Sequence, residues 1–192
     1  PRTSSAASDV YKRQIVNNES SEIIRMLDGP FCKLTNQSEN KMITSYDIRK
    51  IEEINDLVYR GLNNGVYRVG FAKSQEAYTS SVNLLFDTLE QLETILTDKP
   101  FLLGEIPCEA DWRLFPTLIR FDPVYYFHFK CNKRKLRDYP KLHAYMHRLL
   151  DVPKVRDTVK LDHIIDHYYL SHQKINPFSI IPVGVSYDIA DL

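Results

Sequence analysis

The residue pair Glu19-Ser20 places a carboxylate and a hydroxyl where an apolar-periodic stretch begins. If a helix starts here, its first backbone N–H groups have no partners within the helix. A carboxylate, a hydroxyl and free N–H groups together suit the ammonium and carboxylate groups of an amino acid. The alternative is that the two side chains only cap the helix, as short polar side chains commonly do.

Tyr67 lies in a tract, Asn63 to Ala72, that contains two asparagines and two glycines. These residues are unfavourable in an ordinary helix, so the composition predicts a loop that presents the tyrosine. A phenol can donate a hydrogen bond to a ligand oxygen and stack on an aromatic ring. The alternative is an aromatic residue packed in the core.

The tract Arg120-Phe121-Asp122-Pro123-Val124-Tyr125 is unusually aromatic and specific in order. It could form a pocket wall in which Tyr125 contacts a ligand. A buried, structural ion pair between Arg120 and Asp122 is an alternative of at least equal weight. Further along, Tyr168 and Tyr169 are adjacent, so on a helix they point in different directions and at most one faces a pocket.

Histidines and cysteines give weak signals in this sequence. His163 and His167 are four residues apart on one helical face, yet no third ligand is close in sequence apart from His172, so a solvated helix face is favoured over a metal site. The three cysteines are odd in number and have neither metal-site nor Cys-x-x-Cys spacing, which favours a reduced intracellular setting. Each is expected to be structural and not a nucleophile: Cys32, Cys108 and Cys131.

Composition is that of a soluble globular protein, with 43% hydrophobic, 11% aromatic and 26% charged residues. Lys+Arg and Asp+Glu both number 25, so no overall field favours nucleic acid or an anionic membrane. No apolar run approaches the ~20 residues of a membrane span. Residues 1–14 lack the apolar core of a signal peptide.

Apolar periodicity predicts an all-α bundle of at least five helices, with Leu85 and Trp112 buried. Acidic residues predict a helix start near Cys108, and a proline suits a first turn at Pro140. A strand–helix element precedes the bundle. The predicted organisation is an unmatched leader over residues 1–14, the strand–helix element over 15–28, a linker over 29–46, the helical domain over 47–170 and an extended tail over 171–192.

Two tracts, Glu109-Ala110-Asp111-Trp112-Arg113-Leu114-Phe115 and Arg120 to Tyr125, resemble the all-helical domain of glutathione transferases. With the Asn17-Asn18-Glu19-Ser20 helix start and the tract around Tyr67, the sequence is similar to the glutathionyl-hydroquinone reductases, the xi class, over residues 15–182. The implied fold is mainly α: a glutathione-transferase C-terminal helical bundle preceded by a strand–helix remnant of a thioredoxin-like domain.

The resemblance implies a reductase that uses glutathione as co-substrate and no metal. Glu19 and Ser20 would hold the γ-glutamyl end of glutathione, Tyr67 and Tyr168 would meet the quinol, and Tyr125 would line the pocket. Tyr169 would match a variable aromatic position. The family's enzymes are expected to be cytoplasmic homodimers that contact through their helical domains.

One departure from the family pattern concerns the nucleophile. The family's cysteine lies in a Cys-Pro-Trp tract at a helix start, where the dipole lowers its pKa. These residues contain no such tract, and the strands expected before Ile15 are missing. The chain alone is therefore expected to be inactive. A non-catalytic interaction module, as glutathione-transferase-like domains are in some translation factors, is the alternative.

Overall fold

The computed structural model describes residues 7–9, 14–29 and 46–192. The chain divides into two compact units, Pro1–Ile48 and Arg49–Leu192. Each unit is described separately. The predicted linker lies largely outside the described residues, as does Cys32.

The first unit contains a small antiparallel strand pair followed by a helix. Strand β1, Ala7–Asp9, pairs with β2, Gln14–Asn17, in the register Ala7↔Asn17, Ser8↔Ile15 and Asp9↔Gln14. Helix α1, Ser20–Asp28, follows directly. Strand β1 lies within the leader, residues 1–14, for which the sequence predicted no secondary structure. A strand of three residues is too short to give a detectable period.

The second unit is a helical bundle, as predicted. In the described part of the chain its α-helices are α2 (Ile48–Val58), α3 (Gly65–Gly70), α4 (Gln75–Ile95), α5 (Glu109–Ile119), α6 (Pro140–Leu150), α7 (Val155–Thr158) and α8 (Leu161–Ser171). Two π-helical turns, Tyr59–Asn63 and Phe121–Tyr125, connect or extend them. Short 3-10 turns lie at Leu136–Asp138 and Ile189–Asp191.

Helix α4 supplies the central apolar stripe of this bundle. Its residues at helical spacing are buried, namely Val82, Leu85, Phe86, Leu89 and Leu92. The burial of Leu85 is as predicted. The prediction that Trp112 is buried is wrong, because Trp112 is only partly buried. The buried face of α5 follows Ala110, Asp111, Leu114, Phe115 and Leu118, and Trp112 lies off that face at the edge of Phe115.

Helix α5 begins as the acidic residues predicted, with Cys108 at the N-cap and Glu109 and Asp111 in the first turn. The buried Asp111 carboxylate accepts a hydrogen bond from the Cys108 N–H at 2.7 Å and one from the Leu102 N–H at 3.0 Å. The Tyr145 hydroxyl of α6 donates a third at 2.8 Å. One side chain therefore joins the segment before α5 to α6.

The tract from Asn63 to Gly70 is helical, so the prediction of a loop is wrong. Gly61 and Gly70 are required for close packing instead: a Cβ added at Gly61 would lie 2.1 Å from the Thr88 hydroxyl oxygen, and one at Gly70 would lie 2.4 Å from the Phe129 ring. Asn63 is also structural, because its amide accepts from the Thr117 hydroxyl at 2.7 Å.

Across residues 7–9, 14–29 and 46–192, no helix has the length and apolarity needed to cross a membrane. The same residues contain no group of three or more potential metal ligands.

Candidate functional site

Three tyrosines from distant parts of the second unit meet through their hydroxyl groups. Tyr67 lies on α3, Tyr125 ends the second π-helical turn, and Tyr168 lies on α8. The Tyr67 and Tyr168 hydroxyl oxygens are 2.6 Å apart, although 101 positions separate the residues. The Tyr125 and Tyr168 hydroxyl oxygens are 3.0 Å apart. Both distances are those of hydrogen bonds between hydroxyl groups.

The buried ring of Phe129 lies against all three tyrosines. Its centroid is 5.3 Å from that of Tyr67, 5.5 Å from that of Tyr125 and 5.8 Å from that of Tyr168, and it is nearly parallel to Tyr125. Phe129 can approach α3 because Gly70 has no side chain. The aromatic packing fixes the directions of the three hydroxyl groups. From the sequence, Gly70 was interpreted only as one of the two glycines of a predicted loop, and Phe129 was given no role in a site.

The tyrosines line a cleft of about 320 Å³ whose other walls come mainly from α5. Tyr67 is 37% exposed, while Tyr168 is 6% and Tyr125 2% exposed. The cleft is lined also by Asn63, Arg113, Pro116, Thr117 and Arg120. A second cleft of about 450 Å³, near Lys73 and Lys130, contains no residue predicted to bind a ligand. The convergence of hydroxyl groups makes the first cleft the candidate site.

Burial moves the pKa values of the inner tyrosines further above neutral pH. It raises the pKa of Tyr168 to about 12. The hydrogen bond with Tyr125 and the charge of Arg120 lower this pKa, whereas Tyr67 raises it. Burial also raises the pKa of Tyr125 well above the usual value of 10.0, and the nearby Tyr168 hydroxyl adds to the increase. These groups therefore act as neutral hydrogen-bond donors and acceptors.

Arg120 borders the cleft and does not pair with Asp122. Its guanidinium donates to the Pro116 carbonyl at 2.7 Å, and its positive charge lowers the pKa of Tyr125 and Tyr168 against the larger effect of burial. The buried Asp122 instead pairs with Arg137 at 3.3 Å and accepts from a backbone N–H. The predicted alternative of a buried ion pair between Arg120 and Asp122 is therefore wrong, and the pair of Asp122 with Arg137 lies outside the tyrosine cleft.

Tyr169 points away from the cleft, as the geometry of a helix requires for the residue after Tyr168. Its buried hydroxyl donates to the Pro123 carbonyl at 3.0 Å. Of the adjacent pair, only Tyr168 lines the cleft.

Glu19 and Ser20 lie in the first unit, at the start of α1, and both are exposed. Glu19 holds the N-cap position, but its side chain makes no capping hydrogen bond. Its backbone N–H donates to the Asn17 side chain at 2.8 Å. The capping alternative is therefore not realised at Glu19, whose carboxylate is directed to solvent.

Neither described cysteine has the properties of a nucleophile. Cys108 and Cys131 are buried and free. Burial, with the neighbouring Asp111 charge, raises the pKa of Cys108 to about 12, and burial alone raises the pKa of Cys131. A thiolate is the reactive form, so both thiols are unreactive at neutral pH.

Two histidines that the sequence did not single out together form a stacked pair beside the aromatic cluster. His128 Nε2 is 3.1 Å from His172 Nδ1, and the rings are nearly parallel. Burial, then His172 and Lys130, lower the pKa of His128 to about 4. His163 and His167, by contrast, are exposed on α8.

Comparison with known proteins places the chain in a family. The family model for the glutathione S-transferase C-terminal domain matches residues 75–148. The chain is 47% identical, over 92% of its length, to the glutathionyl-hydroquinone reductase PcpF of Sphingobium chlorophenolicum. It spans about half of that relative, 56% of its length.

Solved structures give the same result. The glutathione-bound structure of YqjG, a glutathione transferase homologue from Escherichia coli, is similar with a TM-score of 0.89 and 43% identity, covering 95% of this chain and 59% of that one. Glutathione transferase Xi 1 from Trametes versicolor has a TM-score of 0.87 and 46% identity, with 93% of this chain and 63% of that chain covered. The chain therefore belongs to the glutathione transferases. Within them it groups with the xi-class and glutathionyl-hydroquinone reductase proteins.

Proposed function

We propose that the chain supplies the quinol-binding part of a glutathione-dependent reductase that converts glutathionyl-hydroquinones to hydroquinones. The observation that carries this proposal is the meeting of the Tyr67, Tyr125 and Tyr168 hydroxyl groups at one cleft beside the Phe129 ring. Neutral hydroxyl groups can bind the oxygens of a quinol, and the ring walls favour a flat aromatic ligand.

Glutathione would bind at the start of α1, in the first unit. Glu19 would pair with the ammonium of the γ-glutamyl group, and Ser20 with its carboxylate. This assignment is supported by the exposure of both residues and by the uncapped position of Glu19. The glutathione-bound relative from Escherichia coli adds support for glutathione as the ligand.

The proposed reaction needs a cysteine thiolate from the family's thioredoxin-like segment. The thiolate attacks the glutathionyl sulfur, and a disulfide forms between cysteine and glutathione. The electron pair of the broken carbon–sulfur bond remains on the ring, whose carbon takes up a proton to give the hydroquinone. A second glutathione thiolate then attacks the disulfide, releasing oxidised glutathione and the cysteine thiolate. The tyrosines would hold the quinol oxygens during the first step.

A polypeptide made of these 192 residues alone would not catalyse this reaction. Its single tryptophan, Trp112, follows Asp111, so no Cys-Pro-Trp tract is present. The buried thiols of Cys108 and Cys131 are poor substitutes. Two polar contacts at Glu19 and Ser20 give little affinity, so glutathione should bind with a Kd of about 1 mM or weaker.

The test follows hydroquinone release from a glutathionyl-hydroquinone. The 192-residue chain should give no turnover, and the same chain joined to the family's cysteine-bearing segment should give turnover. If the short chain is active and loses activity on Cys32→Ser, Cys108→Ser or Cys131→Ser, a nucleophile lies among the residues excluded above.

The proposed setting is a cytoplasmic homodimer formed through the helical domains. Exposed apolar side chains of the helical domain, including Tyr59, Leu84 and Leu170, offer surface for such contact. Light scattering of the purified chain should give twice the mass of 22.5 kDa. A monomer at all accessible concentrations would contradict the dimer.

A further inference from the structure

The three hydroxyl groups of the cleft differ in their access to solvent, and this difference determines the direction of their hydrogen bonds. A tyrosine hydroxyl has one proton to donate and lone pairs with which to accept. Tyr125 is 2% exposed, and Tyr168 is the one hydrogen-bond partner of its hydroxyl among the described residues. If Tyr125 did not donate to Tyr168, its buried proton would have no acceptor, which is unfavourable.

The same argument applies to the next hydroxyl. Tyr168 is 6% exposed, and it accepts from Tyr125. Its own proton then has Tyr67 as the acceptor, at 2.6 Å. The reverse arrangement, with Tyr67 donating to Tyr168, would leave the Tyr168 proton without an acceptor inside the protein. Only one direction therefore pairs both buried protons.

Tyr67 ends the series because it is 37% exposed at the cleft. Its oxygen accepts from Tyr168, so its proton is free for a ligand. We infer that Tyr125 is a positioning residue: it directs a hydrogen-bond relay from Tyr125 through Tyr168 to Tyr67, and thereby makes Tyr67 a donor to a phenolic oxygen, best of all to a phenolate. This inference rests on the proposed binding of a quinol in the cleft.

The relay has a chemical consequence for ligand choice. A hydroxyl that already accepts a hydrogen bond becomes a stronger donor, because successive hydrogen bonds polarise one another. The cleft should therefore favour the ionised over the neutral form of a phenol. The Arg120 guanidinium, held by the Pro116 carbonyl, adds positive charge at the same wall.

The test uses 4-nitrophenol as the probe and the chain as it stands. Its dissociation constant is measured by absorbance below and above the pH at which it ionises, and the ratio of the phenolate to the phenol affinity is compared among variants. General damage to the cleft weakens both forms together. Loss of the relay weakens the phenolate selectively, so the ratio distinguishes positioning from structural support.

Expected changes follow from the bond removed. Tyr67→Phe deletes the donor to the ligand and should lower the ratio about 10-fold. Tyr125→Phe keeps the Tyr67 hydroxyl but removes the first hydrogen bond of the relay. The Tyr67 hydroxyl is then less polarised and its direction is no longer set, so the ratio should decrease about 3-fold. Tyr169→Phe is the matched control: it removes a buried hydroxyl on α8 whose bond goes to a backbone carbonyl outside the cleft, and the ratio should stay as in the wild type.

Each other outcome overturns a defined part of the reasoning. If Tyr67→Phe lowers the ratio while Tyr125→Phe matches Tyr169→Phe, the relay is wrong and phenol binding in the cleft stands. If the wild-type chain shows no saturable binding of either form, the proposed quinol site and the relay both fail. An equal decrease in all three variants would also overturn the relay.

Discussion

Replacing Asp111 with Asn should destabilise the helical unit severely, although the two side chains are nearly the same size. Asp111 is fully buried, and its carboxylate accepts three hydrogen bonds, from the N–H groups of Leu102 and Cys108 and from the Tyr145 hydroxyl. All three partners are donors. An amide offers one oxygen, and its NH2 group must face at least one of these donors.

The magnitude follows from the three bonds. Hydrogen bonds to charged groups contribute about 1.5–3 kcal/mol and neutral ones about 0.5–1.5 kcal/mol. The substitution removes one charged bond, leaving its donor unpaired, and converts the other two to neutral bonds. The expected loss in the free energy of unfolding is about 4 kcal/mol, a large part of the 5–15 kcal/mol typical of a domain.

Urea denaturation followed by Trp112 fluorescence measures this loss. Asp87→Asn is the matched control, because Asp87 is exposed on α4 and the change should stay within about 0.5 kcal/mol of wild type. A loss below about 1 kcal/mol for Asp111→Asn, similar to the control, would refute the reasoning that this carboxylate joins the start of α5 to α6.

Two further predictions concern packing and pH. Gly61→Ala should destabilise by about 2 kcal/mol because the new Cβ would meet Thr88 at 2.1 Å, and Thr88→Ala in the same chain should recover most of the loss. Gly65→Ala is the control, since its Cβ would make only an ordinary contact at 3.6 Å; equal effects in urea denaturation would contradict the packing argument. His128 has a pKa of about 4 in the folded chain against a usual 6.5, so the unfolded chain binds the extra proton and stability decreases as the pH falls below 6.5. Because the ring is only partly buried, screening reduces the effect, and His128→Phe should decrease the stability difference between pH 7 and pH 5 by about 1 kcal/mol. His163→Phe, at an exposed position, should leave the difference unchanged; an equal change in both would exclude His128 as the cause.

Helix boundaries were predictable where their signals are local. Glu109 and Asp111 marked the start of α5, and Pro140 begins α6. The tract from Asn63 to Ala72 was misread for the opposite reason. Helix propensity reflects the local cost of its glycines, whereas Gly70 allows close contact with Phe129, which lies far along the chain.

The candidate site could be predicted only in part. Tyr67 and Tyr168 were found through resemblance to a family, since no spacing rule connects residues 101 positions apart. Phe129 and the His128–His172 pair were not predicted as parts of the site, because they are brought together by tertiary packing alone. The partial exposure of Trp112 was also missed. The prediction relied on its apolar side chain and not on its position on α5, which lies off the buried face.

The most direct measurement of the central claim is the kcat/KM of hydroquinone release when Tyr168 is changed to Phe, in the chain joined to the family's cysteine-bearing segment. Tyr168 links the other two hydroxyl groups, so its loss should lower kcat/KM at least about 10-fold. Tyr169→Phe, on the same helix with its hydroxyl on the Pro123 carbonyl, should remain within about 2-fold of the parent. Equal kcat/KM for the two variants would contradict the assignment of the tyrosine cleft as the quinol site.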